Sequence, residues 1–204
     1  SLGTREKELS DNIQIASENL LAIVNDILDL SKIEAGMIVL ENMPFDPAGL
    51  FKSVQQMFGE KARQKNLSLE LVLAPGIPAQ ISGDPTRLTQ IMINLVGNAL
   101  KFTENGRVTL RLRRTSGSDM VRLYVHDTGI GISREHIRRI FAAYEQAEKS
   151  TTRLYGGTGL GLSIALRLSA LMQGALKCRS QPGRGTTFLC TLLLPEAVAS
   201  AALH

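Results

Sequence analysis

The chain has 204 residues, of which 44% are hydrophobic and 21% charged, and its formal net charge is +4. This length suffices for one domain with its own core plus an appendage, and no apolar run reaches the ~18 residues of a membrane span. Aromatic residues make up only 4% and tryptophan is absent. Few side chains can therefore stack on bases, and a nucleic-acid partner is not expected. The two cysteines, Cys178 and Cys190, lack metal-ligand spacing and fit a reducing compartment, which favours the cytoplasm.

The longest helical signal covers residues 4 to 34. Apolar residues recur there at alternating steps of four and three, which is a heptad seam: Leu9, Ile13, Ala16, Leu20, Ile23, Ile27 and Leu30. Further apolar positions widen this surface, so a helical bundle is a better interpretation than a two-stranded coil. Thr4 is expected to cap the helix and Gly36 to end it. An apolar stripe of this length is expected to pack against other residues. These belong either to the rest of the chain or to a helical bundle that is completed by missing sequence or another chain.

From about residue 38 the pattern changes to mixed helices and strands. Helices are predicted at 47–64, 84–102, from 133 and from about 158, and strands at 38–46, 67–74, 80–83, 107–115, 119–127, 174–180 and 185–194. Hairpin-paired strands with interspersed helices predict an α+β fold, a two-layer sandwich in which helices cover one face of a mixed sheet. One long helix precedes it, and residues 197–204 are predicted to be a tail or linker.

The helix predicted at 84–102 carries a polar face beside its apolar one. Asn94, Asn98 and Lys101 stand at i, i+4 and i+7, so they share that face. Asparagine is a mediocre helix former, but its carbonyl oxygen is a suitable Mg²⁺ ligand, and the lysine can meet phosphate oxygens. An ordinary solvated face explains the spacing equally well at this point.

The strand predicted at 119–127 ends in an aspartate followed by a glycine-rich turn. Its alternation directs Asp127 inward with the valines and His126 outward to solvent. A buried carboxylate needs donors, and Gly129 and Gly131 would let a planar group such as adenine approach the backbone closely. The alternative is an aspartate that only closes a turn.

The stretch GGTGLGLSIA, residues 156–165, predicts a glycine-rich turn at a helix N-terminus. Free backbone N–H groups and the helix dipole favour an anion there. The turn lacks the lysine of a Walker loop, and no strand precedes it as a dinucleotide-binding motif requires. It therefore predicts a phosphate site whose cations come from elsewhere: Lys101, Arg153 and a metal on Asn98.

These three motifs occur together in one known order, and the sequence resembles the ATP-binding catalytic domain of sensor histidine kinases, of hybrid type. Their Bergerat fold is shared with gyrase, Hsp90 and MutL. The matching stretches are GDPTRLTQIMINLVGNALKFT, VHDTGIGIS, FAAYEQAEKSTTRLYGGTGLGLSIA and QPGRGTTF. DILDLSKIEAG resembles the second helix of the dimerisation and phosphotransfer hairpin. The resemblance therefore extends from about residue 10 to 195.

The resemblance implies a site for Mg-ATP. Asn98 would be the Mg²⁺ ligand, and the catalytic residues would be Asn94, Lys101 and Arg153. The residues implied to bind nucleotide are Asn94, Asn98, Lys101, Asp127, Gly129, Gly131, Phe141, Arg153, Gly157, Thr158, Gly159, Leu160, Gly161 and Thr187. Within this set, Asp127 would bind the adenine amino group and Thr187 would lie near the adenine. Residues 142–157 would form a lid over ATP.

The resemblance also implies the organisation of the chain. Residues 1–36 would be the second hairpin helix, without a phosphoacceptor histidine, and residues 37–196 the ATP-binding catalytic domain. None of the three histidines, His126, His136 and His204, lies in a phosphoacceptor motif. The chain departs from the family again at 141–144, where Phe-Ala-Ala-Tyr replaces the frequent Phe-Glu-Pro-Phe, and this leaves the activity of the lid in question.

The implied function is the catalytic part of a two-component sensor histidine kinase, which transfers the γ-phosphoryl of ATP to a histidine on a hairpin missing from this chain. The alternative is a regulatory module that binds nucleotide or a partner with degenerate kinase activity. An ATPase like gyrase is less favoured, because the glutamate that activates water there is matched by Asn94 here. Implied partners are the acceptor hairpin, a response regulator or receiver domain, and a second subunit. A membrane would be reached only through missing segments, with an inner-membrane anchor left open.

Overall fold

The computed structural model describes residues 3–137, 139–141 and 159–197. The chain divides into two compact units, Ser1–Ile38 and Val39–His204. None of the helices in these described ranges combines the length and the apolar character needed to cross a membrane.

The first unit is built on one helix, α1 (Thr4–Glu34), which confirms the predicted helix. The predicted cap is wrong by one residue, because Gly3 is the N-cap and Thr4 is already helical. The Gly3 N–H donates to Oε2 of Glu6 at 2.8 Å, so a side chain from the first turn closes the helix start. Gly36 ends the helix with a φ of +66°. The predicted apolar seam is largely solvent-exposed, with more than half of each of these side chains accessible: Leu9, Ile13 and Leu20.

The second unit contains eleven elements in the described ranges. They are β1 (Met43–Phe45), α2 (Pro47–Gln64), β2 (Ser68–Leu73), β3 (Ile81–Gly83), α3 (Pro85–Phe102), β4 (Arg107–Arg114), β5 (Met120–Asp127), α4 (Arg134–Ile137), α5 (Gly161–Leu171), β6 (Ala175–Gln181) and, closing the order after them, β7 (Gly185–Leu193). These match the predicted elements closely. The first strand is shorter than predicted, and the predicted helix start at Thr158 lies outside the described residues.

The main sheet has five strands in the order β2-β4-β5-β7-β6. Strands β2 and β4 pair in parallel and the other neighbours pair antiparallel, so the sheet is mixed. Helices α2, α3 and α5 pack on its strands, and β1 and β3 form a separate small pair. This confirms the α+β sandwich that the hairpin pattern predicts.

Helix α3 lies at the centre of the second unit, and its start follows from two adjacent residues. The Asp84 side chain accepts a hydrogen bond from the Arg87 N–H at 2.9 Å, and Pro85 occupies the first helical position, where a missing N–H costs nothing. The apolar stripe of the helix is completely buried: Leu88, Ile91 and Leu95. The core therefore fixes which face of α3 points away from the sheet, and that face carries the polar residues.

Candidate functional site

The polar face of α3 and the glycine-rich turn before α5 meet in the structure. A Cβ added to Gly161 would lie 3.0 Å from Oδ1 of Asn94, so the first residue of α5 is in close approach to the Asn94 carboxamide. The Nδ2 of Asn94 is buried and has no hydrogen-bond partner among the described residues. A buried donor of this kind is costly to leave without a partner, so Asn94 Nδ2 is a candidate contact for a bound ligand.

Lys101 follows on the same helix, two turns after Asn94 and one residue before the helix ends. Its side chain is half-buried, with Nζ 4.8 Å from the centroid of the Phe102 ring. Burial lowers the pKa of the Lys101 ammonium, and the positive charge of Lys61 lowers this pKa further. A cation that is partly desolvated in this way gains more from a bound anion than a fully solvated one does.

Asp127 ends β5 on the inner face of the sheet, as its alternation predicts. The residue is only 4% exposed, and Oδ1 of its carboxylate accepts hydrogen bonds from the N–H groups of Gly129 (2.9 Å) and Thr186 (3.2 Å). Among the described residues, none donates to Oδ2. Burial raises the pKa of the Asp127 carboxyl, and these two N–H bonds and His126 oppose the increase. One carboxylate oxygen is thus held by the backbone while the other is left for a ligand donor.

The turn after Asp127 is packed between two other parts of the backbone. A Cβ on Gly129 would collide with the carbonyl oxygen of Phe102, and one on Gly131, whose φ is +70°, with the carbonyl oxygen of Gln181. The Ile130 N–H also donates to the Phe102 carbonyl at 3.2 Å. The two glycines do allow close approach, as predicted, but the groups that approach are carbonyls of this chain.

The register places the two threonines on opposite faces of the sheet, and the predicted exposure of His126 is wrong. Register pairs Asp127 with Thr186 and His126 with Thr187, so Thr187 lies on the outer face of the sheet, opposite to Asp127. There its Oγ1 is 2.9 Å from Nδ1 of His126, which is half-buried and not solvent-exposed as predicted. The buried Thr186 lies next to the carboxylate. Extending the alternation back from the apolar Phe188 would have identified Thr186.

Ser180 is a further residue that the motifs missed. Its hydroxyl oxygen accepts a hydrogen bond from the Ile132 N–H at 2.7 Å and lies 2.9 Å from Oγ1 of Thr186. It therefore connects the turn after β5 to β7. The sequence places it only as one small polar residue in a strand, so no local signal marked it.

The remaining predicted residues lie near the start of α5 and before it. Phe141 stacks edge-to-face on Phe188, with ring centroids 6.4 Å apart. Leu160 is buried as the N-cap residue of α5, and Gly159 has a φ of +73°. Arg153, Gly157 and Thr158 lie outside the described residues, as do residues 142–144 and the rest of the predicted lid.

No cluster of three or more His, Cys, Asp or Glu side chains that could hold a metal occurs in the described ranges. Asn98, the predicted metal ligand, lies half-buried on α3 between Asn94 and Lys101. Its amide oxygen and that of Asn94 are neutral hard oxygens, a type that suits Mg²⁺.

Comparisons with known proteins agree with the site. The family model for histidine kinase-, DNA gyrase B- and HSP90-like ATPases matches residues 83–196, more than half of the chain, and the chain belongs to this family. It is 42% identical over 199 residues to the sensor protein GacS of Pseudomonas syringae pv. syringae, covering 96% of this chain and 22% of GacS. It is 41% identical over 186 residues to the signal transduction histidine-protein kinase BarA of Escherichia coli strain K12, covering 90% and 20%. The chain thus spans about a fifth of these relatives.

Solved structures give the same answer. Full-length ShkA in complex with AMPPNP superposes with a TM-score of 0.84 at 34% identity, covering 98% of this chain and 41% of that one. Histidine kinase ThkA in complex with the response regulator protein TrrA has a TM-score of 0.71 at 26% identity, covering 97% and 53%. The predicted family is confirmed, and the second unit contains an ATPase domain of the histidine kinase type.

Proposed function

We propose that this chain is the catalytic part of a two-component sensor histidine kinase, which binds Mg-ATP and transfers the γ-phosphoryl group to a histidine on a hairpin. The observation that carries the proposal is the buried Nδ2 of Asn94 on α3, which has no hydrogen-bond partner among the described residues, together with the buried Asp127 carboxylate beyond the helix end. The Ile130 N–H, in the turn after Asp127, donates to the carbonyl of Phe102, the last residue of α3, whereas Asn94 lies two turns before that end. Residues 94 and 102 are separated by about 12 Å along the axis, a length that suits an extended nucleoside triphosphate.

The Asp127 end of the site fits the adenine base. A carboxylate oxygen that is fixed in a buried position, with no donor from the described residues, can accept the exocyclic amino group of adenine. A base that presented a carbonyl oxygen at this point would meet a negative charge. This supports a preference for adenine over guanine nucleotides.

The Asn94 end fits the phosphates. Lys101 supplies a partly desolvated cation, and the N-terminus of α5, with Gly159 and Gly161, offers backbone N–H groups to an anion. Asn98, supported by Asn94, would hold Mg²⁺, which would neutralise charge on the phosphate oxygens. Arg153, Gly157 and Thr158 are proposed to complete this end. Catalysis would then depend on positioning and charge neutralisation by Asn94, Lys101 and Arg153.

The proposed partner proteins are supported by the exposed surface of α1 and by the complex of a similar protein. The exposed apolar seam of α1 supports its assignment, in residues 1–36, as the second helix of a dimerisation hairpin. The ThkA–TrrA complex supports a response regulator or receiver domain as a partner. Dimerisation of the intact protein and its cytoplasmic location belong to the same proposal.

The test separates nucleotide binding from transfer. Titration calorimetry of the full chain should show ATP binding that requires Mg²⁺, and Asn98→Ala should abolish the metal-dependent part. Asn12→Ala, which removes an exposed asparagine from α1, is the matched control and should bind as the wild type does.

Transfer is then measured with radiolabelled ATP and a separately expressed hairpin that carries the phosphoacceptor histidine. We expect acid-labile, base-stable label on the hairpin, and none when that histidine is replaced by alanine. Binding without any transfer would contradict kinase competence and favour a regulatory module. Steady release of phosphate without hairpin would instead favour an ATPase.

A further inference from the structure

The last turn of α3 is held by groups from outside the helix. The final four carbonyls of an α-helix have no partner within it. In α3 the Ala99 carbonyl accepts the Thr103 hydroxyl at 2.7 Å, and the Phe102 carbonyl accepts the Ile130 N–H at 3.2 Å. The two carbonyls between them, of Leu100 and Lys101, both accept from one ammonium group.

That group belongs to Lys65, the C-cap residue of α2. Its Nζ donates to the Leu100 carbonyl at 2.8 Å and to the Lys101 carbonyl at 3.3 Å, across 35 residues of chain in the first case. The side chain is half-buried between the two helices. A cation at the C-terminal end of a helix also interacts favourably with the helix dipole. Hydrogen bonds from a charged donor are about twice as strong as neutral ones, which makes Lys65 the strongest of the three partners.

This turn connects both ends of the site. It carries the Lys101 side chain, and through the Phe102 carbonyl it holds the turn after Asp127. A rotation of the last turn would move the Lys101 ammonium away from the phosphates and loosen the Ile130 N–H. Lys65 itself lies outside residues 83–196, the segment that the family model matches.

We infer that Lys65 is a positioning residue for nucleotide binding, and that it acts by fixing the last turn of α3 so that Lys101 faces the phosphates. This inference rests on the proposed function. It assigns to α2 a part in the site beyond its packing in the core.

The test uses the full chain with Lys65→Met, which keeps the apolar stem and removes the ammonium. Its matched control is Lys52→Met, at an exposed position of the same helix. We expect Lys65→Met to weaken ATP binding about tenfold and AMP binding by less than about twofold, because AMP lacks the phosphates that Lys101 meets. Lys65→Arg, which keeps a charged donor, should restore ATP affinity to within about threefold of the wild type.

A double-mutant cycle shows whether Lys65 acts through Lys101. In a Lys101→Met background, Lys65→Met should cause no further loss of ATP affinity beyond about twofold. Equal losses for ATP and AMP, or additive losses in the cycle, would show that Lys65 is only a structural cap and would overturn the inference.

An experiment without nucleotide tests the role of Lys65 independently of the proposed function. Hydrogen exchange of the Ile130 amide in the nucleotide-free chain should be several-fold faster in Lys65→Met and unchanged in Lys52→Met. An unchanged Ile130 rate in Lys65→Met would overturn the inference. A wild-type chain that binds no ATP would overturn the proposed function, and the exchange rate alone would then decide whether Lys65 holds the turn.

Discussion

The two ends of the proposed nucleotide site differ in how far the protein satisfies its own polar groups. At the base end, Asp127 Oδ1 accepts two backbone N–H groups, and Gly131 lies against a backbone carbonyl. At the phosphate end, the buried Asn94 amide has an unpaired donor among the described residues, and Gly161 faces a side chain. The base end is therefore a preformed surface, whereas the phosphate end leaves donors for the ligand. In the proposed site, base recognition and charge binding are therefore assigned to different ends.

The largest expected effect comes from removing a glycine at the base end. Gly131→Ala places a Cβ against the Gln181 carbonyl at a φ of +70°, and we expect the free energy of unfolding to fall by about 3 kcal/mol. Gly161→Ala meets only the Asn94 side chain and gains helix propensity, so it should change stability by less than about 1 kcal/mol. Urea unfolding measures both. Equal losses in the free energy of unfolding would refute the contrast between a base end packed against backbone and a phosphate end packed against a side chain.

The base-end carboxylate gives the next effect. Asp127→Asn keeps the shape of the side chain but replaces an acceptor by an amide, and ATP affinity should fall about 100-fold. Stability should not fall, because burial penalises the charge that is removed. Asp119→Asn, which removes an exposed carboxylate paired with Arg114, is the control. Calorimetry decides, and retained ATP affinity in Asp127→Asn would exclude the carboxylate as the adenine acceptor.

At the phosphate end, removing the unsatisfied amide should raise stability while it weakens ATP binding. Asn94→Leu replaces a buried, unsatisfied donor by an apolar group of similar size, so the free energy of unfolding should rise by about 1 kcal/mol. ATP affinity should fall about tenfold, because the amide no longer meets metal and phosphates. Thermal melts and calorimetry measure the two effects. Lost stability with unchanged ATP affinity would identify Asn94 as an ordinary core residue.

A smaller effect distinguishes the two threonines. Thr186→Ala removes a buried hydroxyl beside Asp127 and should weaken ATP binding about fivefold. Thr187→Ala acts on the outer face, where its partner is His126, and should leave ATP affinity unchanged. The reverse result in calorimetry would identify Thr187 as the residue near the adenine.

Most of the fold could be predicted from the sequence, because strand alternation and helix caps are local. The Asp84-Pro85 start of α3 and the inward Asp127 are examples. Contacts that depend on packing between distant segments could not be predicted. Ser180 and Lys65 act on residues far along the chain, and no local pattern marks them. The motif resemblance points to Thr187, whereas strand alternation from Phe188 places Thr186 on the same face as Asp127.

The smallest effect is a pH dependence that belongs to the base end alone. Burial raises the pKa of the Asp127 carboxyl, so the folded protein retains this proton at a higher pH than the unfolded chain, in which it titrates near 3.8. From 3.8 up to the raised pKa, the folded state binds more protons, and Asp127 makes the free energy of unfolding fall as pH rises. The Tm of Asp127→Asn minus that of the wild type should therefore increase as pH rises through this window. Above the window this difference should stay constant. Asn94→Leu changes no titrating group, so its Tm difference should be the same at every pH. A pH-independent offset for Asp127→Asn would show that burial does not raise the pKa of this carboxyl.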